Sequence, residues 1–397
     1  MKEVIANGLK VPIKSWCSDI ESEPLIQAHN LANLPFVFKH VALMPDCHKG
    51  YGMPIGGIIA TKDVVVPNAV GADIGCGMCA VKTSLTSISK DELSSIVELI
   101  HERIPCGFNH HVAPQDIKLM PLVSGTNLSD FNFITLQEFE SARYQIGTLG
   151  GGNHFIEIQR GNDGHIWIMI HSGSRNLGKK VADYYNNIAV KLNKQWYSSI
   201  EKSKELAFLP IQTDEAKKYI AEMEFCIRFA FLNRNLMMQR IIDLFSEVIP
   251  KSTVYPFNSN MFIDVEHNYA RWENHFNSNV LVHRKGATSA RLHEIGIIPG
   301  SQGTKSYIVE GLGNEQSFKS CSHGVGRKMG RAAATRTLNL EDEIRLMDEQ
   351  GILHEMKNIS DLDEASNAYK DIDVVMENQK DLVRILVELK PLAVIKG

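Results

Sequence analysis

The sequence predicts an α+β protein with a mixed or antiparallel β-sheet core, flanked by helices, and with its chemistry placed in glycine-rich loops. Three observations carry this expectation. Short apolar runs of strand length recur along the chain, several of them followed by loops of glycine and polar residues. Amphipathic stretches with helical spacing lie between them. No internal repeat, low-complexity segment or clear linker interrupts the chain, so residues 1–397 read as one compact domain rather than as independent modules. With 44% hydrophobic and 22% charged residues, the chain can bury a core large enough to offset its ordering entropy.

Taken in order, the strand-length runs are residues 38–44, 166–170, 261–265 and 280–282. The glycine- and histidine-bearing segments are 40–57, 71–79, 147–157, 171–178, 264–270, 283–286, 299–303 and 320–330, so several stand at strand ends, where distant side chains can converge. Ser89 and Glu92 match a capping box ahead of Leu93, Ile96, Val97 and Ile100 at helical spacing. A longer helix is expected over 214–247, where Ile220, Met223, Ile227 and Ala230 recur at intervals of three and four. Residues 340–390 read as charge-rich and helical, with 361–377 as a solvated acidic surface.

The net charge of −4 gives no global attraction to polyanions. Any nucleic acid must then be held locally, and the candidate cations are Lys49, Arg175, Lys179, Lys180, Arg284, Lys285, Arg327, Lys328 and Arg331, with Lys179 and Lys180 read as solvated. Seven cysteines without a signal-peptide-like start fit reduced thiols or metal ligands better than a disulfide framework. No apolar run approaches the roughly 20 residues that span a bilayer. The expected location is cytoplasmic, with no membrane partner.

Asp73 and Cys76, in Gly71-Ala-Asp-Ile-Gly-Cys-Gly-Met-Cys79, place a carboxylate and a thiol three residues apart in a glycine-rich turn. His154, His171 and His267 stand in comparable loops, and carboxylate, thiolate and imidazole together make a transition-metal set in which a thiolate can bridge two ions. Any one of these histidines, taken alone, is more often a hydrogen-bonded core or surface residue. Cys76 and Cys79 also form a CxxC, open to reading as a zinc half-site or redox pair, and ligand softness alone favours zinc.

No Walker A loop and no Lys-x-Asp-Gly motif is present. Residues 299–304, around Ser301, can form a backbone nest for an anion, although an ordinary turn has the same composition. His323, in Ser322-His-Gly-Val-Gly-Arg327, has the open glycine flanks and nearby cation that a nucleophilic imidazole needs. Local sequence alone favours the alternative that it caps a helix starting near Arg327.

These segments, from Met44-Pro-Asp-Cys-His-Lys-Gly-Tyr-Gly-Met-Pro-Ile-Gly-Gly57 to Val394-Ile-Lys-Gly397, resemble the RtcB family of RNA ligases in identity, order and spacing over essentially the whole chain. The resemblance implies that Asp73, Cys76, His154, His171 and His267 ligate manganese, two ions per site, and that His323 takes GMP from GTP as a phosphoramidate. It places Asn153, Glu157, Asn268, Ser301 and Lys396 around the guanylate, with Asp46 lining the same pocket. The implied reaction joins an RNA 3'-phosphate or 2',3'-cyclic phosphate to a 5'-hydroxyl through an RNA-3'-pp-5'-G intermediate, in tRNA splicing or RNA repair, with an archease-type activator as a possible partner. Cys47, Gln302 and Val325 depart from the family's usual residues, which suggests a divergent branch without removing a ligand. A metal-dependent phosphodiesterase or phosphatase, or a non-catalytic RNA-binding protein, are the competing readings.

Overall fold

The computed structural model describes residues 1–121, 133–249 and 262–397. Most strands fall into two sheets. The six-stranded sheet runs, in spatial order, Glu3–Ile5, Ile13–Ser15, Val37–His48, Ile55–Thr61, Ser278–Lys285 and Asn268–His275. Its pairings are antiparallel except that of Ile13–Ser15 with Val37–His48. The seven-stranded sheet runs Phe262–Glu266, Gly77–Lys82, Ile166–Ser172, Phe155–Gly161, Val383–Lys396, Ser306–Gly311 and Ile295–Ile298, antiparallel throughout. Contact between its two edge strands curls this sheet toward closure.

Strand alternation gives the seven-stranded sheet two unlike faces. Ile156, Ile158, Ile168, Ile170, Ala393 and Ile395 form an apolar face that packs on the helices Lys90–Arg103 and Asp214–Val248. Each of these isoleucines, fully buried, contributes roughly 1.5–3 kcal/mol. The opposite face mixes Met78, Phe155 and Met169 with the buried polar residues Glu157, Gln159 and His171. Ser89 caps the first of those helices as expected, accepting from the Glu92 N–H at 3.2 Å while Glu92 Oε2 accepts from the Ser89 N–H at 2.8 Å.

Three of the expected strand runs lie inside Val37–His48, Ile166–Ser172 and Ser278–Lys285. The fourth appears as Phe262–Glu266, with Met261 outside the described residues. The C-terminal expectation needs correction. Helices Leu340–Glu349 and Ile372–Asn378 are present, but the chain then forms the 14-residue strand Val383–Lys396. Val383, Ile385, Val387 and Leu389 alternate with polar or exposed positions, a period of two that the charge content masks. Nor is 361–377 wholly solvated: Leu362 and Glu364 are buried, Glu364 against the guanidinium groups of Arg327 and Arg331.

Candidate active site

Five neighbouring strands of the seven-stranded sheet end at one rim. Because neighbours are antiparallel, the starts of Gly77–Lys82 and Phe155–Gly161 alternate there with the ends of Phe262–Glu266, Ile166–Ser172 and Val383–Lys396. Cys76 and His154 therefore precede their strands, His171 lies one residue from the end of its own, and Lys396 closes the last. His267 is the single residue between Phe262–Glu266 in this sheet and Asn268–His275 in the other, so it stands at the junction of both.

The five sequence-predicted ligands converge at this rim. Cys76 Sγ lies 3.3 Å from His154 Nε2 and 3.4 Å from His171 Nε2. Asp73 Oδ2 is 3.2 Å from His154 Nε2, and the Nε2 atoms of His171 and His267 are 3.0 Å apart. His154 Nδ1 is 3.0 Å from the Leu149 carbonyl, which only accepts, so Nδ1 carries the proton and Nε2 presents a lone pair to the thiol and carboxylate. Asp73 Oδ1 and His267 Nδ1 are buried with no hydrogen-bond partner among the described residues. Lone pairs facing one another at these distances repel unless a proton or cation lies among them, and sulfur, carboxylate and imidazole donors suit a divalent transition metal. Burial holds His171 and His267 well below the usual imidazole value, which leaves them neutral, as ligation requires. The same burial pushes the Cys76 thiol well up, so its thiolate needs a cation beside it. Gly173 makes room for Asp73: a Cβ there would stand 2.4 Å from the carboxylate.

His323 comes from the other sheet's side. It follows the short strand Ser320–Ser322, and its ring centroid lies 4.7 Å from that of His267. Asp46, fully buried on Val37–His48, accepts from both His323 Nδ1 at 2.6 Å and the His323 backbone N–H at 3.2 Å. The ring is thereby held with its proton on Nδ1 and its lone pair on Nε2. Gly326, at φ +71, lets the chain pass against Asp46, where a Cβ would meet the Asp46 carbonyl oxygen at 2.3 Å. The helix-cap alternative fails, since the helix starts at Arg331 and Gly330 occupies its N-cap.

Around this centre, Glu157 and Lys396 share the inner face on adjacent strands. Burial raises Glu157 to about 8, with the Gln159 hydrogen bond and the Lys396 charge opposing, and burial lowers Lys396. Ser301 is buried in its loop, and its N–H donates to Thr304 Oγ1 at 2.7 Å. Asn153 is half-buried beside His154. Asn268 donates to the Asp73 carbonyl at 3.0 Å and accepts from Gly286 N–H at 2.9 Å, so its amide braces the Asp73 loop. A cavity of about 310 Å³ opens here, lined among others by Gly152, Gln302, Asp361, Asp363, Glu364 and Lys396.

Other expectations are corrected. Arg284 is fully buried on Glu273, and Lys285 is buried, donating to the Tyr51 and Asn68 carbonyls, so neither presents charge to a phosphate. Cys79 points into the apolar core, on the opposite side of its strand from the site, which removes the CxxC readings. Sequence reasoning missed Asn233 and Arg234, in mid-helix. Arg234 pairs with Asp264 at 2.7 Å and donates to the Gly75 and Ser172 carbonyls, both at 3.0 Å. Asn233 accepts from the Gly147 and Thr148 N–H groups and donates to Thr148 O, Ser172 Oγ and Gly173 O. An Asn-Arg pair at positions that fall among the apolar residues of the helix is the signal that was available.

Fold and site together define an α+β protein with a buried thiol–imidazole–carboxylate centre beside an aspartate-held histidine. The sequence family described as tRNA-splicing ligase RtcB matches residues 27–128 and 124–397. An RNA-splicing ligase RtcB1 of Escherichia coli is 38% identical, with 97% of each chain covered. The RNA-splicing ligase RtcB of E. coli strain K12 is 37% identical with the same coverage. A tRNA-splicing ligase RtcB of Nanoarchaeum equitans is 30% identical over 98% of this chain and 96% of its own. The chain belongs to the RtcB family and so to the RNA ligases. No helix among the described residues is long and apolar enough to cross a membrane.

Proposed function

We propose that the protein, acting as a single domain in the cytoplasm, joins RNA 3'-phosphate or 2',3'-cyclic phosphate ends to 5'-hydroxyl ends, using GTP and manganese, in tRNA splicing or RNA repair. The observation that carries this reading is the Asp46-held His323, its Nε2 lone pair free beside the ligand cluster. Asp46 keeps the proton on Nδ1, so Nε2 attacks the α-phosphorus of GTP; the N–P bond forms as the bond to pyrophosphate breaks. An RNA 3'-phosphate oxygen, freed where needed by prior attack of water on a cyclic phosphate with the 2'-oxygen leaving, then takes the GMP from His323, forming RNA-3'-pp-5'-G. The 5'-hydroxyl attacks the 3'-phosphorus and GMP departs. Manganese held by Asp73, Cys76, His154, His171 and His267 would supply neutralisation of the phosphate oxygens.

We read the cavity beside Lys396 as the guanine pocket. Among its carboxylates, Glu364 already accepts from Arg327, Arg331 and Tyr369, and Asp363 is an acceptor suited to a base that presents N1–H and N2–H donors. Lys396, which lines the cavity, and Asn153, beside His154 in the chain, are the residues proposed to hold the guanylate. An archease-type protein is the proposed activator.

The test is incubation with α-phosphate-labelled GTP and manganese, followed by denaturing gels of wild type and His323→Ala. Acid-labile, base-stable label on the wild type alone is expected. Absence of label, with or without an activating partner, would overturn the ligase mechanism in favour of a metal-dependent hydrolase, whose activity would survive His323→Ala.

A further inference from the structure

Gln159 belongs to no ligand set described above, yet it is fully buried on the polar inner face of the seven-stranded sheet. Its Nε2 donates to Glu157 Oε2 at 2.5 Å and to Ser306 Oγ at 3.1 Å. Ser306 Oγ in turn accepts from the Gly300 N–H at 3.1 Å, at the start of the loop that carries Ser301. To make the second bond the amide reaches over the intervening strand Val383–Lys396, where Pro391 lies opposite Gln159 and a bulge follows. With Glu157 ionised, a flipped amide would set its carbonyl against the carboxylate, so this donor orientation is the one that belongs to the ionised form. Gln159 Oε1 is meanwhile buried with no partner among the described residues. A buried, unpartnered carbonyl lowers stability, and such groups are retained where they serve a site.

We propose that Gln159 is a positioning residue for the nucleotide, fixing the Glu157 carboxylate and tying it, through Ser306, to the Gly300–Ser301 loop, so that these two segments, which the ligase reading sets around the guanylate, keep one spacing. This rests on the ligase reading and adds to it a residue that acts through Glu157 rather than on the substrate. Glu157 is pushed up to about 8 by burial, and the Gln159 donor opposes that push, so the amide favours the ionised carboxylate.

The test compares wild type, Gln159→Leu, Glu157→Ala and the double variant by labelling with α-phosphate-labelled GTP. Gln159→Leu should raise the KM for GTP about tenfold, with the maximal labelling rate within about twofold and thermal stability unchanged or higher. In the Glu157→Ala background the leucine substitution should add nothing. An unchanged KM, or the same loss persisting without Glu157, would overturn the proposal, as would a fall in stability that tracks the loss of labelling. A wild type that takes no label would fault the ligase reading instead. The relay is then read from the 13C carboxyl titration of Glu157: its midpoint rises in Gln159→Leu if the amide holds the ionised form, and the proposal falls if it stays put.

Discussion

Asp46 Oδ2 accepts two hydrogen bonds from His323, one from the ring and one from the backbone, and Asp46 has no exposure to solvent. An asparagine there can keep the shape and one acceptor while losing the negative charge that stabilises the ring as it gains phosphorus. Asp46→Asn should therefore fold as the wild type does, by circular dichroism, and take GMP on the order of 10²-fold more slowly or worse, by analogy with neutralised aspartates behind nucleophile-bound histidines. Labelling within about threefold of wild type would remove the electrostatic role. At this scale the convergence of Asp73, Cys76, His154, His171 and His267 was legible through the family resemblance and not from local sequence, in which any one of these histidines reads more readily as a hydrogen-bonded core or surface residue. Gln159 was legible only in part: Glu157 and Gln159 put two polar side chains on successive inward positions of a strand otherwise apolar up to Arg160. Glu364 was not legible, because its burial depends on Arg327 and Arg331, which reach it from a separate segment.

Among the elements, the long helix Asp214–Val248 does more than cover the sheet. Asn233 and Arg234 project from it to hold the backbone of the loops that present Cys76, His154 and His171, including the Gly75, Thr148, Ser172 and Gly173 carbonyls. Asn233→Ala leaves several buried backbone groups unpaired and should cost about 2–4 kcal/mol, at roughly 1–3 kcal/mol for each group left unsatisfied. It should also weaken manganese binding about 10- to 100-fold, the usual effect of losing an outer support of a ligand set. Urea unfolding and calorimetric titration with manganese measure the two; stability lost with metal affinity intact would make the helix a scaffold only. The helix itself, the capping box at Ser89 and three strand runs were readable from periodicity. The strand Val383–Lys396 was missed because its polar positions carry charges, and charge content was weighed above the alternation of Val383, Ile385, Val387 and Leu389.

For the molecule as a whole, the interior of the six-stranded sheet has an acid-sensitive point at His283. This residue is fully buried on Ser278–Lys285, a strand that links Ile55–Thr61 to Asn268–His275. Its Nε2 accepts the Val66 N–H at 3.1 Å, and its Nδ1 donates to the Leu281 carbonyl at 3.2 Å. A second ring proton would have to break the Val66 bond, and burial, against the bonds to Leu281 and Ile59, holds the ring down to about 4. Between the unfolded value near 6.5 and the native value the unfolded chain binds a proton that the native chain does not. Stability therefore rises with pH across that window and is lost as pH falls from 6.5 to 4, by up to about 3 kcal/mol for this group. His40, also buried and held down to about 4, acts in the same direction. Glutamine at 283 can accept the Val66 N–H without titrating, so His283→Gln should be somewhat less stable at pH 7 and distinctly less sensitive to acid between pH 6.5 and 4.5. Urea unfolding at several pH values, with a chelator present so that ligand protonation in the metal centre does not change with metal release, measures the slope. Equal slopes in the two proteins would mean that His283 is already charged in the native state. A single transition at each pH is expected if residues 1–397 form the one domain proposed, because His267 joins a strand of each sheet and Asp46, on the six-stranded sheet, holds His323 beside it; two transitions would overturn the single domain.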